Sequence, residues 1–193
     1  MNRPDETLIL QKVTEIFEQL NIAYAIGGSI ASSVYGKVRF TQDADITVEN
    51  FSQKADDLYT LMKSQFYINK DTMYQALKNS SFFNIIHLKS AFKIDIYIEE
   101  NDDFHKQLLS RSRKIRISQS TRKLFSVVSA EDIILLKLLW YKSTEYASQR
   151  QWSDALGVLA VQKDSLDFNY LKLWAAKLEV NDLLQKAVSE SNL

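Results

Sequence analysis

The sequence has no cysteine, one proline and four glycines among its 193 residues. Without cysteine the chain can form neither a disulfide nor a thiolate zinc site, and it has no cysteine nucleophile. The absence of cysteine fits a reducing cytosol, where thiol chemistry is not needed for stability. The scarcity of proline and glycine leaves no flexible linker. The chain also has no internal repeat and no low-complexity tract.

The chain has no net charge, because 24 lysines and arginines balance 24 aspartates and glutamates. This balance excludes the global positive charge of a dedicated nucleic-acid-binding protein, although local patches remain open. A hydrophobic fraction of 46% at zero net charge excludes intrinsic disorder. At about 150 residues per domain, the length predicts one domain or one domain with a small appendage.

No apolar run approaches the roughly 20 residues that a membrane-spanning helix needs. The longest run, residues 133–141, is interrupted by Lys137, and the polar N-terminus lacks the apolar core of a signal peptide. We therefore expect a cytoplasmic protein with no membrane partner. The two histidines, His87 and His105, lie far apart without ligand-like spacing. Two ordinary histidines are favoured over a metal-binding pair.

Hydrophobic periodicity predicts an α+β region over residues 1–127. The first helix begins after Pro4 and Asp5. The predicted helices cover residues 8–20, 29–36, 52–66, 71–78 and 103–109. The predicted strands cover residues 22–26, 43–48, 82–88, 92–99, 113–118 and 123–129. The short connection 89–91 predicts an antiparallel hairpin between the predicted strands 82–88 and 92–99.

The pattern becomes entirely helical from Ser129, which is a candidate N-cap with Asp132 three positions later. We predict a C-terminal helical bundle over residues 128–193, following a mixed or antiparallel β-sheet with flanking helices. Aromatic residues fall at helical spacing in this part, and most are expected in the core rather than stacked on a base. They are Trp140, Tyr141, Trp152 and Trp174.

The turn Gly27-Gly28-Ser29 follows an apolar strand and opens a helix. Its backbone amides and the Ser29 hydroxyl are suited to hold a phosphate, because the helix dipole favours anions at this end. An ordinary structural turn that uses the backbone freedom of glycine explains the same residues equally well.

Three aspartates form the strongest candidate for a chemical site. Asp43 and Asp45 alternate with apolar residues, so both lie on one face of a predicted strand, and Asp95 has the corresponding position on another. On neighbouring strands about 4.8 Å apart, the three carboxylates could share a pair of magnesium ions. The alternative is a solvated strand edge, which for a lone Asp-x-Asp pair is the commoner explanation.

The order YAIGGSIASSVYGKVRFTQDADITV followed by FKIDIYI resembles the nucleotidyltransferase fold of the DNA polymerase β superfamily. It is most similar to the AbiEii-type branch, which includes toxins of toxin–antitoxin and phage-defence systems. Arg39-Phe40-Thr41 matches the Arg-x-Thr of that branch, and Lys93 with Asp95 matches its Lys-x-Asp. The likeness continues at Lys137 and at Arg150 with Asp154, but Gly157 stands where the branch often has a second aspartate.

The resemblance implies a transferase that moves a nucleoside monophosphate from a nucleoside triphosphate to an acceptor hydroxyl with two Mg²⁺ ions. Asp43, Asp45 and Asp95 would be the catalytic metal ligands, and Asp95 a candidate base. Further residues would bind the nucleotide, namely Gly27, Gly28, Ser29, Arg39, Thr41, Lys93, Lys137 and Asp154. Without the resemblance, a solvated helix face explains Lys137 as well, and Asp154 could simply orient Lys137 or Arg150.

The acceptor implied by the resemblance is tRNA, a protein side chain or a small molecule, and a cognate antitoxin is a candidate partner. One local basic patch, residues 111–123, has the charge needed to attract RNA, although a solvated surface is the somewhat commoner reason for such a run. Two rival hypotheses remain: an inactive nucleotidyltransferase-like scaffold that binds a nucleotide or a partner, and a structural interaction protein with neither property.

Overall fold

The computed structural model describes residues 5–100 and 102–191. The chain divides into two compact units. The first, here called the sheet unit, contains Met1–Ile26 and Thr41–Val127, and the second, the helical unit, contains Gly27–Phe40 and Val128–Leu193. The division into domains 1–127 and 128–193 stays a prediction. Residues 1–4, which include Pro4, and residues 192–193 lie outside the described residues.

The strands of the sheet unit form one mixed sheet. In chain order they are β1 (Tyr24–Ile26), β2 (Asp43–Val48), β3 (Phe66–Ile68), β4 (Phe82–His87), β5 (Lys93–Ile98), β6 (Arg113–Ile115) and β7 (Phe125–Val127). Their order across the sheet is β3-β4-β5-β2-β1-β7-β6. The pairs β2/β5 and β1/β7 are parallel, and the other neighbours are antiparallel. The predicted α+β class with a mixed sheet is therefore confirmed, as is the β4–β5 hairpin.

The helices of the described residues are, in chain order, α1 (Glu6–Gln19), α2 (Gly28–Tyr35), α3 (Ala55–Met62), α4 (Lys70–Asn79), α5 (Asp103–Ser110), α6 (Ala130–Ser143), α7 (Gln149–Gln162), α8 (Phe168–Lys177) and α9 (Asn181–Glu190). Side-chain caps fix several of their starts. Asp5 accepts a hydrogen bond from the Thr7 amide at α1, and Asn69 accepts one from the Thr72 amide at α4. None of these helices is long and apolar enough to cross a membrane.

Strand β2 separates an apolar face from a polar face. Ala44, Ile46 and Val48 are buried, while the alternate residues are half-buried. Strand β5 repeats the pattern, with its isoleucines at 94, 96 and 98 no more than 3% exposed. Because β2 and β5 are register neighbours, their apolar side chains contribute to one layer of the core and their polar side chains share the opposite face.

The predicted helix over residues 52–66 is wrong at both ends. A 3-10 turn, Ser52–Lys54, precedes α3, and α3 ends at Met62. Phe66 starts strand β3 instead, where it pairs with His87 of β4. Phe66 and Ile68 are buried while Tyr67 between them is exposed, so the segment has strand alternation. Three residues are too few for this alternation to stand out from the preceding helical pattern.

The helical unit consists of α2 and α6–α9. The predicted cap of α6 is confirmed, because Ser129 Oγ accepts a hydrogen bond from the Asp132 amide at 3.1 Å. α2 packs on α6 and α7, and α8 and α9 pack on each other. The predicted core aromatics Tyr141, Trp152 and Trp174 are 6–7% exposed, whereas Trp140 is half-buried.

Candidate functional site

Strands β2 and β5 place three aspartates on one face of the sheet. In this parallel pair Asp45 is directly opposite Asp95, and Asp43 is directly opposite Lys93. Residues that are partners across neighbouring strands are about 5 Å apart and point to the same side. We call this surface, formed by Asp43, Asp45, Lys93, Asp95 and Tyr97, the carboxylate face. The sheet thus brings together the three residues that the sequence singled out as a group.

Hydrogen bonds hold the carboxylates of Asp43 and Asp95. Thr41 Oγ1 donates to Asp43 Oδ1 at 2.8 Å, and Lys93 Nζ donates to Asp95 Oδ2 at 2.6 Å. Asp95 is only 7% exposed, and its second oxygen, Oδ1, is buried with no hydrogen-bond partner among the described residues. An unsatisfied buried acceptor costs about 1–3 kcal/mol. A cation supplied from outside the chain would satisfy this oxygen, so the face fits a hard divalent metal.

The electrostatic effect of the carboxylates is visible on their neighbours. The hydrogen bond to Asp95 raises the pKa of Lys93, and the charges of Asp95, Asp43 and Asp45 add to the effect. Burial raises the pKa of Tyr97, and the three aspartates raise it further. A field that favours cations and opposes new anions therefore covers this part of the sheet.

A different acidic group has its side chains closest together. Among the described residues, the group of three whose ligand atoms all lie within 4.8 Å of one another is Glu100, Asp102 and His105. Asp102 also caps α5, and its Oδ2 lies 2.8 Å from His105 Nδ1, so helix capping accounts for its position. The other histidine, His87, is buried beside Ser90, and burial lowers its pKa.

The helical unit contains a second charged group, which we call the Asp154 cluster: Ser29, Arg39, Lys137 and Asp154. Arg39 donates a hydrogen bond to each carboxylate oxygen of Asp154, from Nε to Oδ1 and from Nη2 to Oδ2, both at 3.0 Å. Lys137 Nζ lies 2.9 Å from Asp154 Oδ2, and Arg39 Nη2 also donates to Ser29 Oγ. Two cations thus share one carboxylate, which leaves the cluster with one positive charge.

The surroundings of Lys137 overturn its interpretation as part of a solvated helix face. Its side chain is 2% exposed, and that of Asp154 is 8% exposed. Burial would raise the pKa of Asp154, but the hydrogen bond from Arg39 and the charge of Lys137 outweigh it and hold this pKa below its usual range. Arg150, the other predicted neighbour of Asp154, is exposed instead.

The Gly27-Gly28-Ser29 turn leads into α2. Gly28 has φ of 54°, a left-handed conformation that favours glycine. Gly27 has no such requirement, because a Cβ added there would meet no atom within 4 Å. No side chain caps this end of α2, so open space adjoins uncapped backbone amides. This arrangement suits a phosphate. The left-handed conformation at position 28 also explains, by itself, one of the two glycines.

Gly157, where a second aspartate was expected from the resemblance, has a structural role in the helical unit. A Cβ added at Gly36 would lie 2.9 Å from the Gly157 carbonyl carbon and 2.9 Å from the Val158 nitrogen. The end of α2 therefore meets the backbone of α7 directly. A side chain at position 157 would point toward Lys37, whose backbone nitrogen is 3.5 Å from the site of an added Cβ.

The predicted basic patch lies on and after edge strand β6 of the sheet unit. Arg113, Arg116 and Arg122 are exposed. Glu18 of α1 offsets part of the charge, because it forms ion pairs with Lys114 at 3.7 Å and Lys123 at 2.5 Å. Three exposed guanidinium groups remain in a stretch that the sequence identified only as a basic run.

Sequence comparison with known proteins finds neither a matching family model nor a matching curated protein. Solved structures do match. The solution structure of the antibiotic-resistance factor ANT(2″)-Ia is 11% identical, with a TM-score of 0.59 over 96% of this chain and 97% of that one. The crystal structure of ANT(2″)-Ia with adenylyl-2″-tobramycin is 11% identical, with a TM-score of 0.55 over 90% of this chain and 97% of that one.

A nucleotidyltransferase-like protein from Paracoccidioides brasiliensis is also similar, with 14% identity and a TM-score of 0.54 over 95% of this chain and 91% of that one. At such low identity these likenesses concern the fold. The chain has the nucleotidyltransferase fold that the order of its sequence motifs predicted.

Proposed function

We propose that the chain is a metal-dependent nucleotidyltransferase, which transfers a nucleoside monophosphate from a nucleoside triphosphate to an acceptor hydroxyl. The observation that carries this proposal is the register of β2 and β5, which sets Asp45 opposite Asp95 with Asp43 on the same face. The nucleotidyltransferase fold supports it. The structure of ANT(2″)-Ia with adenylyl-2″-tobramycin is a neighbour whose bound molecule carries an adenylyl group on an acceptor.

Asp43, Asp45 and Asp95 are the proposed ligands of two Mg²⁺ ions. Carboxylate oxygens suit this hard cation, which commonly completes its shell with phosphate oxygens and water. When bound, the ions would neutralise charge on the triphosphate and on the departing pyrophosphate. The unpartnered Oδ1 of Asp95 supports the assignment, because a buried carboxylate oxygen is stabilised by a cation.

Asp95 also has the proposed role of base. The acceptor oxygen forms a bond to the α-phosphorus, the bond from that phosphorus to the bridging oxygen breaks, and pyrophosphate departs with its electron pair. The hydroxyl proton passes to the Asp95 carboxylate. Thr41 supports this face by holding the Asp43 carboxylate through a 2.8 Å hydrogen bond.

The helical unit supplies groups with the chemistry of phosphate binding. Arg39 and Lys137 are the cations of the Asp154 cluster, and cationic side chains of these types bind phosphate oxygens through charge-assisted hydrogen bonds. The open space at Gly27 and the uncapped amides that begin α2 are suited to phosphate oxygens. We therefore propose Gly27, Gly28, Ser29, Arg39 and Lys137 as nucleotide-binding residues, with Asp154 holding the two cations in place.

RNA is the acceptor that we favour over a protein or a small molecule. The exposed Arg113, Arg116 and Arg122 lie in the same unit as the carboxylate face and would attract a phosphate backbone. The motif order of the sequence supports an AbiEii-type toxin with a cognate antitoxin as partner, and tRNA as the RNA. The cytoplasm, where triphosphates and tRNA occur together, is the location we propose.

The test is transfer of label from each of the four α-phosphate-labelled nucleoside triphosphates, with total RNA and with RNase-treated lysate as separate acceptor pools. We expect Mg²⁺-dependent labelling of RNA. Asp45→Asn should reduce the labelling about 100-fold or more, because one metal ligand is worth several kcal/mol in the transition state. Asp57→Asn is the matched control, since Asp57 is an exposed aspartate on α3.

Two outcomes would contradict the proposal in different ways. Equal labelling by wild type and Asp45→Asn would exclude the carboxylate face as the site of chemistry. Mg²⁺-dependent triphosphate binding in calorimetry, with no pyrophosphate release from any acceptor pool, would favour a nucleotide-binding scaffold instead. Labelled protein in the RNase-treated pool would support the proposed reaction, with a protein instead of RNA as the acceptor.

A further inference from the structure

Lys93 is the feature of the carboxylate face that metal chemistry leaves unexplained. It lies two residues before Asp95 on β5, so both side chains point to the same side of the sheet. Its Nζ is 2.6 Å from Asp95 Oδ2, within the range of a strong charge-assisted hydrogen bond. An ammonium group therefore occupies one oxygen of a carboxylate that is also the proposed metal ligand.

The two partners differ in their freedom to move. The Lys93 side chain is 43% exposed, whereas the Asp95 side chain is 10% exposed. The lysine stem can rotate its charged end into water at little cost, while the carboxylate stays fixed in the sheet. A second cation at Asp95 would thus move the lysine rather than the aspartate.

Lys93 also responds to the whole face rather than to Asp95 alone. It is the register partner of Asp43, and Asp43 and Asp45 lie on the same face of β2. Three carboxylates on one face repel one another unless a cation compensates. Within the described part of the chain, Lys93 is the cation that the sheet itself places opposite these carboxylates.

We propose that Lys93 is the built-in counter-ion of the metal-free carboxylate face, and that a divalent cation bound at Oδ1 of Asp95 competes with the charge of Lys93 on Oδ2. The inference depends on the metal site of the proposed function. Lys93 stabilises the fold while no metal is present, and its charge lowers the affinity of the face for metal.

Neutral replacements of Lys93 test this competition with metal alone, without substrate or activity. In calorimetric titrations with Mg²⁺ and with Mn²⁺, we expect Lys93→Met to bind at least about tenfold more tightly than wild type, because a like charge has been removed from the site. Lys93→Gln, which keeps a hydrogen-bond donor but loses the charge, should bind as tightly as Lys93→Met. Lys78→Met, at an exposed lysine of α4, should leave the affinity unchanged.

Thermal unfolding provides the second measurement. In EDTA, Lys93→Met should unfold at a lower temperature than wild type and Lys78→Met, and saturating Mg²⁺ should remove the difference. Equal metal affinity of wild type and Lys93→Met would overturn the role of Lys93 and leave the metal site intact. Failure of all variants and wild type to bind either metal would instead overturn the metal site, and this inference with it.

Discussion

Asp154 shows how one buried carboxylate can organise a distant part of the chain. It receives a two-point grip from Arg39 and an ion pair from Lys137, and its side chain is 8% exposed. Such a group is stable only because opposite charges and hydrogen bonds replace the water it has lost. Removing its charge would leave the 2% exposed Lys137 without this counter-charge in a buried environment.

We therefore expect Asp154→Asn to lower the free energy of unfolding by roughly 3–5 kcal/mol, as is typical when one partner of a buried ion pair is removed. Urea denaturation at neutral pH, followed by tryptophan fluorescence, measures the change. Asp164→Asn is the matched control at an exposed aspartate and should stay within about 0.5 kcal/mol of wild type. A loss below about 1 kcal/mol would mean that the cluster contributes little to the fold.

The pH dependence of the same comparison has a definite sign. Arg39 and Lys137 hold the pKa of Asp154 below its usual range, so the folded state binds its proton less readily than the unfolded state. Its stabilising contribution is present at neutral pH and is lost as the pH falls through the lowered pKa. The difference between wild type and Asp154→Asn should accordingly shrink below about pH 4. A difference that stays constant on acidification would contradict this origin.

Sequence reasoning identified Asp154 but not the residue that binds it most extensively. The candidate partner on the same helix was Arg150, one turn away, whereas the structure uses Arg39, which is 115 positions distant. Local spacing is informative about neighbours on one element and contains no information about which distant loop folds back. The carboxylate face was more predictable, since strand alternation set Asp43 and Asp45 on one face of β2 and Asp95 on the polar face of β5. The parallel pairing of β2 with β5 then joined the two faces.

At the scale of elements, predictability followed the length of the periodic pattern. Strand β2 has the predicted bounds, residues 43–48, because six residues alternate strictly between polar and apolar. Strand β3 has three residues, and its first, Phe66, was predicted as the end of a helix. Its formation depends on pairing with β4, a tertiary contact that the local sequence does not encode.

The packing of α2 on α7 leaves no room for one added methyl group. A Cβ at Gly36 would lie 2.9 Å from backbone atoms of Gly157 and Val158, and backbone atoms cannot move aside as a side chain can. We expect Gly36→Ala to lower the free energy of unfolding by about 1–3 kcal/mol, the usual cost of overpacking. Urea denaturation measures it.

Gly27→Ala is a closely matched control for that substitution. Gly27 and Gly36 have similar backbone angles, with φ of −117° and −128° and ψ of −144° and −137°. The backbone conformation that alanine must adopt in the folded chain is therefore nearly the same at both positions, and both variants lose the flexibility of one glycine in the unfolded chain. Only Gly36 has atoms close to the added methyl group, whereas Gly27 has none within 4 Å. Equal free energies of unfolding for the two variants would show that α2 can move away from α7 without loss of stability.

At the scale of the whole molecule, a net charge of zero hides two opposite local fields. The chain has 24 acidic and 24 basic residues, yet the sheet unit carries aspartates on β2 and β5 and exposed arginines on and after β6. Composition excludes only a protein that is positive everywhere. It leaves room for one that offers a phosphate backbone a small cationic surface and offers metal ions a separate acidic one.

If the basic patch binds RNA, its contribution is measurable as a salt dependence. Counter-ions are released when arginines contact phosphates, and each contact contributes about 0.7 to the slope of log affinity against log salt for a single strand. The triple variant Arg113→Gln, Arg116→Gln, Arg122→Gln should therefore bind a fluorescein-labelled single-stranded RNA more weakly and lower that slope by about 2. Fluorescence anisotropy over a series of KCl concentrations measures both quantities.

A second triple variant separates a local surface from net charge. Lys78→Gln, Lys163→Gln, Lys172→Gln removes the same number of positive charges from exposed positions outside the patch. If the arginines contact the RNA backbone directly, only the patch variant changes the slope, because counter-ion release depends on contact and not on total charge. Equal slopes in both variants would mean that RNA does not contact the basic patch, and the charge argument for RNA as the acceptor would be lost.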